Sequence, residues 1–566
     1  MTFSRFLQVF ISFFIFYHLT TTNLSAWDTT GCEGSVDHEQ ALPLVAGAML
    51  PSSNGIAFNH KDELFVASVL GRSITQLDPC NGRILAILSP EQGVEAPDDL
   101  AFDTTGNLYW TAFLTGDVGR MTPEGDTTTI ANLGPGVNAI TVSDDDNKLY
   151  VSRVFLADEV WELDLTGIDP PRLLAQDLGG FNGMDIGPDG KLYGPLCYHG
   201  QIARIDTDTG NIDIVTEGLT APAAVKFNHT GNLFVVDVAL GEVLHVNLNN
   251  GALKMIAEVG IGSDSLAFDS QDNLYVSNAH DSNVLRVFNV KDSLHDWYPV
   301  HPLTQGGLST SSGIALHMIN GRTSLFVADI YSIREYSPSS GNLRSTAHSI
   351  MGGVTELSTP FSLSSYGNYL VTTSWFANSV QIWDPELQTL VDEHLDFTVP
   401  LNAISFGEDI LVAELGSGCV MHRPANTSDS IPLACDFNVP AGLAENDGKV
   451  WVSDWATGSV WQIADNYIAM ESPILVAEDL TQPEGLAATK NGTLLVVEAG
   501  ASRLLEINLD TGTKRTRVDK LPLGNSATPG YPPTWIFNSV VVDDLGVAYM
   551  NLDGDRSILR IDRNKR

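Results

Sequence analysis

The sequence predicts an all-β chain built from short strands in tandem repeats, and three observations carry that expectation. A two-strand motif such as FNGMDIGPDGKLYG (Phe181–Gly194) returns along the whole chain. Fifty glycines, with many Asp, Asn and Thr, break the sequence nearly every ten residues, which leaves no room for long helices. Between the breaks the apolar runs are short and nearly continuous, as strands buried on both faces require.

Each repeat opens with a strand of the GIAF type, turns at Gly, Asp or Asn, and continues with a strand of the LYVS type. A third strand (ITQLDP, IARIDT) and a fourth (ILAIL, LKMIA) follow. Aligned on the residue before the first small residue, the repeats begin at 54, 98, 138, 182, 223, 264, 312, 361, 402, 441, 484 and 538, spaced 39 to 54 residues apart. That period and order signal four-stranded β-propeller blades. Twelve blades in one ring would leave a very wide hole, so the expected architecture is two tandem six-bladed β-propellers, over 41–293 and 294–566. Repeats six and twelve each lack a regular fourth strand. The orphan run ALPLVAG (Ala41–Gly47) is expected to close the blade of 264–290, and DWYPV to close the twelfth, since closure removes exposed sheet edges.

Arg5 precedes the apolar run Phe6–Leu19, which is too short for a comfortable membrane span, and Ala26 is a cleavage residue of the right kind. Residues 1–26 are expected to be a signal peptide and 27–40 a tail, which places the protein in a secreted, lumenal or periplasmic setting, with no membrane attachment after cleavage. Among the five cysteines, Cys419 and Cys435 fall on successive strands of one hairpin and are expected to pair. Cys32 and Cys80 could staple the tail to the body, leaving Cys197 as a small buried hydrophobe. Sequons at Asn228, Asn426 and Asn491 are glycosylation acceptors in a eukaryotic host. With 30 Lys and Arg against 69 Asp and Glu, the net charge of −39 repels phosphate backbones and excludes nucleic-acid binding; a small molecule is the expected partner.

In a propeller the innermost strands line a central channel, and their first residues converge on one face. In the first ring these are Asn54, Asp98, Asn138, Asn182, Ala223 and Asp264. Five of the six offer oxygen, three as amides and two as carboxylates. That is a hard-cation ligand set for calcium or another divalent ion. In the second ring the same positions carry Ser312, Phe361, Asn402, Ala441, Glu484 and Asn538, where Phe361 would plug a metal site. The acidic ends of its second strands (Asp329, Glu414, Asp454, Glu498) read as loop caps, and the ring as a scaffold or accessory domain.

FNGMDIGPDGKLYG and SNGIAF…ELFVAS resemble the senescence-marker protein, gluconolactonase and luciferin-regenerating enzyme family, whose relatives by fold include paraoxonases and strictosidine synthases. The resemblance is at the level of the repeats and covers the first ring best. It implies a six-bladed propeller with a calcium or similar ion at the channel mouth, held by a glutamate, asparagines and an aspartate. Asn138 and Asn182 match the asparagine positions, and Asp264 or Asp98 the carboxylate. The first ring departs from the family at the glutamate, where Asn54 or Asp98 stands.

Such an ion suits hydrolysis of a lactone or ester. The candidate bases on the same face are His199, His280, Asp237 and Asp99, with His199 ranked first for sharing a blade with Asn182. Two other classes remain: lyase or cofactor-free cyclisation chemistry on a small hydrophobic metabolite, and ligand binding without catalysis.

Overall fold

The computed structural model describes residues 41–288, 290, 297–350, 354–524 and 532–562. The expected signal peptide, the tail and Cys32 lie outside the described residues. Within them the chain is all-β and propeller-like, with twelve four-stranded antiparallel sheets and no α-helix. Sheet one is typical: Ile56–Phe58, Leu64–Ser68, Ser73–Leu77 and Ile84–Leu88 pair in sequence order. The hairpin between the first two strands is held by a recurring side-chain turn. Asp103 Oδ1 accepts from the backbone N–H of Thr105 (3.0 Å) and Asn107 (2.8 Å), while Gly106 takes the left-handed conformation (φ 90°). Asn59, Asn228, Asp269 and Asp543 repeat the arrangement. This explains the recurring acid or amide after the first strand, and it consumes Asn228. That residue is 4% exposed, its Oδ1 holds the turn and its Nδ2 donates to the Val290 carbonyl, so it presents no amide for glycosylation.

The sheets stack face to face, and the apolar clusters record the order. Ala67 and Ile74 of sheet one pack with Leu100 and Trp110 of sheet two. Ile56, Leu64 and Val66 of sheet one also pack with Ala267, Tyr275 and Val284 of sheet six. Ile314, Leu325 and Val327 of sheet seven pack with Tyr549 and Ile558 of sheet twelve. Each buried aliphatic side chain of this kind is worth about 1.5–3 kcal/mol. The first strands of sheets seven to twelve surround a cavity of about 240 Å³, to which they contribute Ile314, Leu363, Asn402, Leu443, Leu486 and Val540.

Two closure expectations are corrected. Ala41–Val45 does not join the sheet of 264–290; it pairs antiparallel with Ile558–Ile561 (Ala41 opposite Ile561, Pro43 opposite Leu559) and completes sheet twelve. The fourth strand of sheet six is Val300–Pro302, which begins on the last residue of DWYPV (Val287 opposite Val300), so that run serves sheet six and not sheet twelve; Tyr298 packs into the cluster shared by sheets five and six. The reason is local. The segment leaving Ala41–Val45 runs beside the segment leaving sheet six, with a parallel bridge between Gly47 and Leu308 and a bond from Ala48 N to Leu308 O (2.9 Å). A Cβ on Gly47 would lie 2.1 Å from the Asp555 carbonyl, so only glycine lets the two crossings pass there. Sheets one to six therefore sit as an insertion between the first strand and the rest of the second half. The Cys419–Cys435 disulfide is present; Cys80 is exposed and has no disulfide partner among the described residues, which do not include Cys32.

Candidate functional site between the two halves

At the start of the innermost strands of sheets two, three, five and six the register shifts: between Pro97 and Leu100, Val137 and Ile140, Pro222 and Ala224, Ser263 and Leu266. Such bulges re-aim a side chain. The strands also crowd together here. Gly55 N donates to Asp98 O (2.7 Å) and Gly183 N to Ala223 O (2.9 Å), and a Cβ on Gly183 would lie 2.3 Å from that of Ala224. The glycines after Asn54 and Asn182 thus serve close approach of neighbouring strands.

Asn54, Asp98, Asn138, Asn182, Ala223 and Asp264 all line one cavity of about 130 Å³. The five oxygen donors singled out in the sequence meet there. Asn54 Nδ2 donates to Asp264 Oδ2 (3.2 Å), and Asn54 Oδ1 accepts from Ser52 Oγ (2.9 Å). Among the described residues the side chains of Asp98, Asn138 and Asn182 make no hydrogen bond, although each is at least nine-tenths buried. Burial and the nearby Asp264 and Asp99 carboxylates push Asp98 well above the usual carboxylate range. Burial, reinforced by Asp99 and opposed by Asn54, pushes Asp264 up to about 6. Among the described residues no Lys or Arg lines the cavity. Two carboxylates and three amides, buried together without a positive partner, fit a divalent cation by donor type and charge. Among the described residues no group of three or more His, Cys, Asp or Glu is arranged for a metal, so the set depends on its amides.

The cavity is closed by the second half of the chain. Ile330, Tyr331, Phe361, Trp375, Phe376 and Trp535 face the oxygen floor. Trp375 packs against Phe361 (centroids 4.6 Å apart) and Trp535 (6.0 Å). Tyr331 reaches furthest: its ring lies parallel to His280 at 4.9 Å and its hydroxyl is 3.3 Å from Ser52 Oγ. Burial and the Asp264 and Asp98 charges hold its phenol above the ordinary range, and the hydroxyl accepts from Ser52 Oγ. The two halves are tied by Arg334, which is 4% exposed. Its Nε donates to Asp329 Oδ2 (2.9 Å) in the second half, and its Nη2 donates to the His280 carbonyl (2.6 Å) and Asp281 Oδ1 (3.2 Å) in the first.

Of the four candidate bases only His280 lines the cavity. Burial, with His348 and Arg334 nearby, pulls it well below the usual histidine range, so it is neutral; its Nδ1 lies 3.2 Å from His348 Nδ1. His199 is exposed on a turn outside the lining. Asp237 is fully buried and accepts the N–H groups of Thr220 (2.7 Å), Ala221 (3.2 Å) and Ala239 (3.1 Å), which makes it a loop cap. Asp99 is pushed by burial up to about 6 and is occupied by the N–H groups of Leu100 (2.9 Å) and Ile140 (3.1 Å). Cys197 does line the cavity, but burial and then Asp158 push its thiol up to about 12, too high for a nucleophile at neutral pH. The aromatic roof and Tyr331 were not foreseen. Their signal was present, because the turns after the second strands are apolar (Phe113-Leu114, Ile330-Tyr331, Trp375-Phe376) where a solvated turn would be polar.

No protein-family model matches the chain. An alignment 184 positions long is 28% identical to a gluconolactonase of Zymomonas mobilis and covers 27% of this chain and 52% of the relative. The chain spans about half the length of that curated relative. Among solved structures, a catalytically inactive virginiamycin B lyase from Staphylococcus aureus with quinupristin aligns with a TM-score of 0.37 and 14% identity, over 51% of this chain and 95% of that one.

Proposed function

We propose that the twelve sheets are two six-bladed β-propellers set mouth to mouth, and that the cavity between them is the site of a divalent-cation-dependent hydrolase of small lactones or esters. The packing of sheet one on sheet six and of sheet seven on sheet twelve supports two rings, as does the cavity that the innermost strands of the second half surround. The first ring then spans 48–302, and the second spans 303–562 with 41–45 as its closing strand. The disulfide suits a secreted or lumenal protein.

The observation that carries the functional reading is the floor: five oxygen donors from five sheets, three of them buried and unpartnered. Asp98 and Asp264 would supply the charge that retains calcium, and Asn54, Asn138 and Asn182 its neutral ligands. A bound cation supplies a polarised carbonyl and a more acidic water. The chain supplies the rest. The aromatic roof covers the floor, and His280, the one of the four candidate bases that lines the cavity, is neutral there and can accept or donate a hydrogen bond to orient a water or ligand. The likeness to a gluconolactonase favours lactones as the substrate class. A panel of lactones and esters, assayed with and without chelator, tests the reading. Chelator-sensitive turnover is expected. Turnover that survives chelation and Asp98→Asn/Asp264→Asn would favour cation-independent lyase or cyclase chemistry, and calcium binding without turnover a binding protein.

A further inference from the structure

Tyr331 belongs to the second half, yet its hydroxyl sits over the oxygen floor of the first. The turn that carries it is held from both sides. Asp329, just before it, accepts from Thr310 N (2.6 Å) and Arg334 Nε (2.9 Å), and Arg334 bonds onward to the His280 carbonyl. Tyr331 O accepts from Ser349 N (2.7 Å). Ile330 between them has φ 31°, a left-handed conformation that a β-branched side chain adopts only at a cost. The strain turns the next side chain into the cavity, where its ring rests flat on His280. Among the described residues the hydroxyl has one protein neighbour for a hydrogen bond besides the floor itself, Ser52 Oγ at 3.3 Å. A packing residue at this position would need only the ring. The hydroxyl accepts from Ser52 Oγ, which leaves its own O–H free to point into the cavity that Asn54, Asp98 and Asp264 line.

We propose that Tyr331 is a ligand-contacting residue of the first half's site. Its hydroxyl donates a hydrogen bond to the carbonyl oxygen of a lactone or ester held at the floor, and its ring is the wall against which the ligand's apolar part packs. The second half is thereby part of the site. This rests on the functional reading above. A donor aimed at an oxygen that gains charge as water adds lowers the barrier to that addition, so its loss should appear mainly in kcat. The apolar roof further favours a ligand with an alkyl or aryl substituent over a polyhydroxylated one.

The test uses the full chain, δ-dodecalactone as substrate, and its lactam counterpart as a non-hydrolysed ligand followed by calorimetry. Tyr331→Phe keeps the stacked ring and removes only the hydroxyl. The expected result is a roughly tenfold weaker lactam Kd and at least a tenfold lower kcat, with the calcium-induced rise in Tm unchanged. Tyr331→Ala should weaken the lactam further. A Tyr331→Phe protein within twofold of wild type in both lactam Kd and kcat overturns the assignment while leaving the hydrolase reading standing. A wild type that binds the lactam but hydrolyses no lactone overturns the hydrolase reading, and Tyr331 is then judged on lactam affinity alone. A wild type that does neither overturns both.

Discussion

The two halves share one repeat and one bulged strand start, yet they use that position in opposite ways. In the first half Asp98, Asn138 and Asn182 line a cavity, and among the described residues their side chains make no hydrogen bond. In the second, Glu484 Oε2 accepts from both the N–H (2.6 Å) and the side-chain amide (2.7 Å) of Asn538, while Asn538 Oδ1 accepts from Asp553 N (2.8 Å). Ser312 donates to the Ala328 carbonyl (3.1 Å), and Phe361 fills the roof. The same polar residue types therefore signal a ligand site only where the fold leaves them unsatisfied. A buried polar group costs stability unless something pairs with it. In the second half that partner is the protein for Glu484, Asn538 and Ser312, while Asn402 Oδ1 stays unpartnered; in the first, by this account, it is a cation.

The comparison depends on the halves being held together, and Arg334 is the place to break it. Arg334→Ala leaves Asp329 (0% exposed) without its cationic partner and cuts the tie to the His280 carbonyl. A loss of about 3 kcal/mol is expected by chemical denaturation. A change below about 1 kcal/mol would mean that the strut adds little.

A pH series sharpens the contrast. The folded chain without metal keeps a proton on Asp264 up to about pH 6, whereas the unfolded chain releases it in the ordinary carboxylate range. Apo stability should therefore fall as pH rises from about 4 to about 6. Calcium needs the ionised form, so its stabilisation should be large at pH 7.5 and nearly absent at pH 5, read as Tm with and without chelator. Glu484, pushed by burial and Asp553 up to about 8, adds a further loss between about pH 4.5 and 8 that calcium should not reverse.

Smaller effects come from single amides. Asn182→Ala removes one neutral ligand and should weaken calcium about tenfold with modest change in Tm. Asn402→Ala, at the equivalent second-half position, removes a carbonyl oxygen without a hydrogen-bond partner. It should leave calcium affinity unchanged and stability within about 0.5 kcal/mol. Equal calcium responses in the two variants would make Asn182 a turn residue only.

Much of this was legible in the sequence. The turn chemistry of Asp103-Thr-Thr-Gly-Asn107 recurs at Asn59, Asn228, Asp269 and Asp543, and aligning the repeats on the residue before the first small residue picks out five oxygens that line one cavity. Closure was not legible. The run 41–47 and the two incomplete repeats were visible, but two pairings satisfy them equally, and the choice was made by the Gly47–Leu308 crossing, a contact between segments some 260 residues apart. Asp237 misled because a carboxylate ending a strand looks the same in sequence whether it faces a cavity or caps a loop. Asp454 is its second-half equivalent, accepting from Asn438 N and Val439 N (both 3.0 Å), and there the capping reading holds. Tyr331 was hidden because it serves a site whose other residues lie in a different half.

The most direct test of the central claim is bound calcium per chain, measured by elemental analysis after equilibrium dialysis, with Tm in chelator as a second reading. Asp98→Asn/Asp264→Asn keeps the oxygens but removes both charges and their mutual repulsion; Glu484→Gln is the second-half control. The account predicts that the double variant loses calcium at least a hundredfold in affinity, yet melts higher than wild type in chelator because buried like charges are gone. Glu484→Gln should retain wild-type calcium. Wild-type calcium content in the double variant, or its loss in Glu484→Gln, would contradict the account.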